Sequence, residues 1–118
     1  MPKLTEEQLE NRRFDRESKL QAYIVGRVNK YRAEHGKHIF MVKVSDRHRM
    51  GISDLILCVC GEFVAVELKV GNNQATALQQ NFIDDVCASG GDGLVVRNWG
   101  QFKRAINRIL EKHNKPLL

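Results

Sequence analysis

The stretch that decides the reading is Gly51-Ile52-Ser53-Asp54-Leu55-Ile56-Leu57-Cys58-Val59-Cys60-Gly61-Glu62-Phe63-Val64-Ala65-Val66-Glu67-Leu68-Lys69. Two apolar runs flank Gly61-Glu62, which reads as the turn of a β-hairpin. Asp54 opens the first strand, and Glu67 and Lys69 close the second. Residues two apart on a strand share a face, so Glu67 and Lys69 point the same way. A turn at Gly61-Glu62 pairs residues near 54 with residues near 67 and brings Asp54 beside Glu67. Like charges at about 4 Å repel by roughly 1 to 4 kcal/mol at effective dielectrics of 80 to 20. A divalent cation between them reverses that sign, so the hairpin end reads as a metal site.

The strands around it extend the pattern. His38 to Val44 is rich in β-formers, and Leu94-Val95-Val96 is a short strand. Leu20, Ile24, Val28 and Tyr31 recur at helical spacing within a helix expected over 15–34, which Gly36 ends. Thr5-Glu6-Glu7-Gln8 carries the capping-box pattern of a short first helix. A helix over 76–88 should turn Leu78, Phe82, Ile83 and Val86 inward. A last helix should bury Phe102, Ala105, Ile106, Ile109 and Leu110, with Trp99-Gly100 as the turn before it. The core order is α-β-β-β-α-β-α. Strand, helix, strand over 63–96 implies a parallel crossover, hence a mixed sheet in an α/β fold. The near-continuous apolar hairpin suggests strands buried on both faces.

The chain has 118 residues, the length of one domain, with its core at about 15–112. No apolar run reaches membrane-spanning length, and the N-terminus lacks a signal-peptide core, so the expected compartment is the cytoplasm. The three cysteines suit a reduced compartment and lack zinc spacing, so Cys58, Cys60 and Cys87 are expected as small buried side chains. The net charge of +5 favours a polyanionic partner. Arg12, Arg13, Arg16, Lys19, Arg27, Lys30 and Arg32 load the N-terminal third and read singly as solvated helix faces. Arg47-His48-Arg49 stands apart, since it lies a few residues from Asp54, where a phosphate would arrive.

Glu-x-Lys occurs twice, at Glu17-Ser18-Lys19 and Glu67-Leu68-Lys69. On the helix the first pair do not face each other; on a strand the second pair do. Phosphodiester hydrolysis needs an activated water and neutralised phosphoryl charge, which Mg²⁺ or Mn²⁺ supplies from oxygen ligands. Asp54 and Glu67 suit that role, with the Leu68 carbonyl as a third oxygen and Lys69 placed to orient water or steady developing charge. The plainer reading is a salt bridge at a hairpin end. Gln79 could orient water or phosphate through its amide. Glu62, at the turn, reads as a solvated charge.

Gly51-Ile52-Ser53-Asp54, Glu67-Leu68-Lys69, Thr76-Ala77-Leu78-Gln79 and Gly90-Gly91 together resemble the PD-(D/E)xK nuclease superfamily. More narrowly they resemble its VRR-NUC family, including small stand-alone phage members, over about 17–105. The resemblance implies a restriction-endonuclease-like core and a metal-dependent deoxyribonuclease. It implies metal ligation by Asp54 and Glu67, a catalytic Lys69, and a glutamine that falls on Gln79. Its first-helix acid falls on Glu17, although the helix dipole favours an acid there regardless of role. It further implies branched DNA, such as Holliday junctions or flaps, as substrate, and a homodimer. Ser53 departs from the family's usual proline, a change that leaves the ligand in place. Two other readings stand beside it: a nucleic-acid-binding module without activity, and a basic interaction protein.

Overall fold

A computed structural model of the chain describes residues 2–44 and 51–118. Arg47, His48 and Arg49 lie outside the described residues. A short helix α1 (Glu6–Glu10), capped reciprocally by Thr5 and Gln8, precedes the long helix α2 (Glu17–His35). Strands β1 (Ile39–Lys43), β2 (Leu55–Val59) and β3 (Glu62–Leu68) follow, then α3 (Ala77–Ala88), β4 (Asp92–Val96) and α4 (Trp99–Lys112). From α2 onward this is the expected order. The sheet has four strands in the order β1-β2-β3-β4. β1, β2 and β3 are antiparallel neighbours, and β4 runs parallel to β3. The parallel pair needs a crossover, and α3 provides it.

The sheet has two unlike faces. Leu55, Leu57, Val64, Val66, Leu68 and Val96 share one face and are buried with Leu20, Ile24 and Val28 of α2 and Phe102, Ile106 and Leu110 of α4. That is the main core. Trp99 is fully buried as the first residue of α4, not in a turn before it, and its ring stacks on Phe102 at 5.6 Å. α3 covers the other face only over β3 and β4. Gly93 makes this approach possible: a Cβ there would lie 2.7 Å from the Ile83 carbonyl oxygen.

Several expectations are corrected. The hairpin turn is Cys60-Gly61, one residue earlier than read, and both residues have positive φ. β2 is not buried on both faces; it alternates, with Cys58 exposed. The reason is that no described helix covers the α3 side of β1 and β2. Cys87 is likewise exposed, while Cys60 is half-buried in the turn. On α3 only Ile83 is fully buried, and Leu78 is 50% exposed. Glu62 is no lone solvated charge: Lys112, the last residue of α4, and His113, which caps it, contact it at 2.7 and 2.8 Å.

Candidate active site

The turn at Cys60-Gly61 sets the register. Leu55 pairs with Val66, so the next step along the ladder places Asp54 against Glu67. Asp54 stands just before β2, and its carbonyl accepts a hydrogen bond from the Val44 N–H at 2.9 Å. Its carboxylate is also anchored: Oδ2 accepts from the Leu68 N–H at 2.7 Å. Asp54 is thus fixed to both neighbouring strands. Gly51 guides the chain into this position. Its φ is +87°, and a Cβ on it would fall 2.7 Å from the Leu78 carbonyl oxygen at the start of α3.

Glu67 belongs to the α3 side of the sheet and is 2% exposed. Its Oε2 has no hydrogen-bond partner among the described residues. Burial, and then the facing Asp54 carboxylate, push the Glu67 carboxyl up to about 8, against the pull of Lys69. Lys69 lies just beyond β3 and is nearly buried. Its Nζ sits 3.8 Å from Glu67 Oε1 and 3.8 Å from Glu17 Oε1. One ammonium therefore links the strand acid to the acid in the first turn of α2. That contact spans the whole hairpin in sequence and is invisible to local periodicity.

Asp54, Glu67, Lys69 and Glu17 are brought together. Gln79 instead holds the start of α3. Its Oε1 accepts from the Thr76 N–H at 2.9 Å, while Thr76 Oγ1 accepts from the Gln79 N–H at 3.2 Å. The Thr76-Ala77-Leu78-Gln79 spacing is a capping-box signature, and read that way it announces the helix start. Only the Gln79 amide nitrogen is left to serve another partner. Among the described residues no three His, Cys, Asp or Glu side chains converge on one point as a metal cage. The acids nearest each other are a pair, Asp54 and Glu67, with Glu17 joined through Lys69.

Two carboxylates with few protein ligands suit Mg²⁺, which dehydrates reluctantly and keeps several waters. The buried Glu67 Oε2, without a hydrogen-bond partner among the described residues, is the observation that fits a hard cation: the one nearby ammonium, Lys69, lies 3.8 Å from the other oxygen and is shared with Glu17.

A mixed four-stranded sheet flanked by helices thus carries an acid pair and a lysine at the end of its central hairpin. A solved VRR_NUC domain has the same fold: the two align with a TM-score of 0.58 and 21% identity, over 80% of this chain and 94% of that one. No family model matches the sequence, and no curated protein does.

Proposed function

We propose that the chain is a metal-dependent endonuclease that hydrolyses phosphodiester bonds in DNA, with branched DNA such as Holliday junctions or flaps as its preferred substrate. The observation that carries this reading is the buried Glu67 carboxylate, one oxygen unpartnered, set against Asp54. Mg²⁺ or Mn²⁺ would be held by Asp54, Glu67 and the Leu68 carbonyl oxygen. An ion held there would supply an activated water and neutralisation of charge on a phosphoryl oxygen.

The chain's own groups do the positioning. Lys69, held between Glu67 and Glu17, donates hydrogen bonds to the attacking water or to a non-bridging oxygen as negative charge builds there. Glu17 keeps that ammonium in place. The Gln79 amide nitrogen donates to a phosphate oxygen, and Arg47, His48 and Arg49 neutralise backbone phosphates. Two copies of the chain would present two sites for paired cuts. The open apolar face of β1 and β2 favours such a pair.

Cleavage of a panel of linear duplex, single strand, flap and four-way junction, with Mg²⁺ or Mn²⁺ and then EDTA, tests this. Glu67→Ala and Lys69→Ala should each lower the cleavage rate by roughly 10² or more, as loss of charge stabilisation in a dry site does, with the fold retained by circular dichroism. Cleavage that survives both changes ends the assignment. The second reading, a binding module without activity, is favoured by the lack of a third acid beside the pair among the described residues. It predicts retention of junction DNA in Mn²⁺ and EDTA alike, with cutting in neither.

A further inference from the structure

Beside the acid pair lies a second feature that the nuclease reading leaves unused. A groove of about 450 Å³ is walled by Arg12, Arg13 and Phe14 before α2, by Gly71-Asn72 after β3, and by Arg97 with its neighbours at the start of α4. Its walls abut the site through the chain: Phe14 is three residues before Glu17, and Gly71 two after Lys69. No acid lines it. Among the described residues none of its three arginines pairs with a carboxylate, whereas Arg27, Lys103 and Lys112 each do. Like charges gathered without counter-charge cost folding energy unless an anion arrives.

The groove is also built. Arg97 is half-buried; its Nη1 donates to the Gly71 carbonyl at 3.0 Å, and its backbone N–H to Gln101 Oε1 at 2.7 Å. Asn98 caps α4 by accepting from the Gln101 N–H at 2.9 Å, which leaves the positive end of that helix at the groove wall. On the opposite wall the Arg12 guanidinium lies 4.8 Å from the Phe14 ring centre, an arrangement that steadies a long side chain while its outer face stays in water. Asn11, Asn72 and Gln101 add amide donors.

The geometry points to this groove as the track for the sugar-phosphate backbone that flanks the scissile bond, with Arg12, Arg13 and Arg97 as its phosphate contacts. The inference rests on the nuclease reading for its polyanion but assigns a different surface from the acid site and from Arg47-His48-Arg49. Phosphate contacts position a duplex without reading its sequence, so the groove sets where the backbone lies.

Binding of labelled four-way junction and linear duplex is measured in EDTA, so that cleavage plays no part. Arg12→Ala with Arg13→Ala touches only exposed side chains and should weaken binding roughly tenfold or more and flatten the log-log salt slope by about 1 per lost contact. Arg97→Gln should act in the same direction, with Arg97→Lys recovering part of the loss. Lys30→Ala with Lys37→Ala removes the same charge about 20 Å along or beyond α2 from its first turn and should change binding little. Equal losses in both double variants reduce the groove to net charge and overturn the inference, as does an unchanged salt slope in the Arg12/Arg13 variant. If the unaltered chain binds through the groove yet never cuts with Mg²⁺ or Mn²⁺, the groove stands and the nuclease reading falls. If it cuts while the groove variants bind as before, the reverse holds.

Discussion

At Glu67 the physics of one residue is exposed. A carboxyl whose pKa rises from 4.5 to about 8 is held in the folded state in its protonated form. Between those values the folded chain binds a proton that the unfolded chain has released, so stability without metal is full below about pH 4.5 and falls as pH rises through 8. Glu67→Gln should therefore melt higher than the unaltered chain at pH 7 to 8 in EDTA, and the two should converge near pH 4.5. A variant that melts lower across the range would show that the carboxylate is already compensated. Gly51 has the opposite character, since its backbone has no tolerance. Gly51→Ala meets both the positive φ and the Leu78 carbonyl 2.7 Å away, and should cost about 1 to 3 kcal/mol. Because Asp54 lies three residues on, cleavage should fall by more than the lost folded fraction explains. An alanine variant with unaltered melting and cleavage would mean that the entry to β2 shifts freely. Of these residues, Asp54, Glu67 and Lys69 were legible because strand periodicity is local. Gln79 was legible by position but not by the bonds it makes, and the contact from Glu17 to Lys69 depends on tertiary packing.

For the elements, what could be read depended on which faces find a partner. The stripe on α2 and the one on α4 were plain in sequence, and both are buried as spaced except at Ala105, which stays partly exposed at the edge of the α4 stripe. β2 was not plain: an apolar run cannot say whether its second face will be covered, and α3 reaches only β3 and β4. The consequence is a row across the sheet. Phe40 pairs with Cys58, and Cys58 with Phe63, so all three share the α3 side of the sheet, with Phe63 at the edge of α3 and Phe40 and Cys58 beyond it. Phe40 is 56% exposed and Phe63 47%, with Val42 beside them. Side chains of this size in one patch mark a contact surface more often than a free one. If two copies meet here, Phe40→Ser with Phe63→Ser should yield a monomer by light scattering while the unaltered chain is a dimer. Melting of that monomer should fall below that of the dimer and lose its dependence on protein concentration, since association stabilises the folded chain. A dimer that persists in the variant places the interface elsewhere. The turn correction is of the same kind. Moving the hairpin reversal from Gly61-Glu62 to Cys60-Gly61 requires a cysteine at φ of 50°, a conformation that sequence preference argues against. The register it creates is the one that sets Asp54 directly across from Glu67.

Across the whole molecule, topology gathers the positively charged features at one edge. α3 and α4 each begin where the parallel strands β3 and β4 end, so their N-termini lie on the same side of the sheet, the side on which open α/β sheets place ligands. Lys69 draws the first turn of α2 to that side too. Positive helix ends and three groove arginines then lie toward the side of the sheet that holds the buried Glu67 and the part-buried Asp54, two acids that face each other unfavourably. Such an arrangement stores instability at the place where a cation and a polyanion would bind together. Binding of the cation to the folded chain alone must raise its stability by RT ln(1 + [L]/Kd), about 2.7 kcal/mol at a hundredfold excess over Kd. Melting should therefore rise by several degrees in Mn²⁺ or Mg²⁺ over EDTA at pH 8. In Glu67→Gln the rise should vanish, because the neutral amide has neither the charge nor the uncompensated burial that the ion relieves. Lys69→Ala should leave the rise intact or enlarge it, since the ammonium competes with the metal for Glu67. Equal shifts in the unaltered chain and in Glu67→Gln would place the ion on other carboxylates. An absent shift at saturating metal would leave the acid pair sharing a proton, as a structural feature of the hairpin and not a centre of hydrolysis.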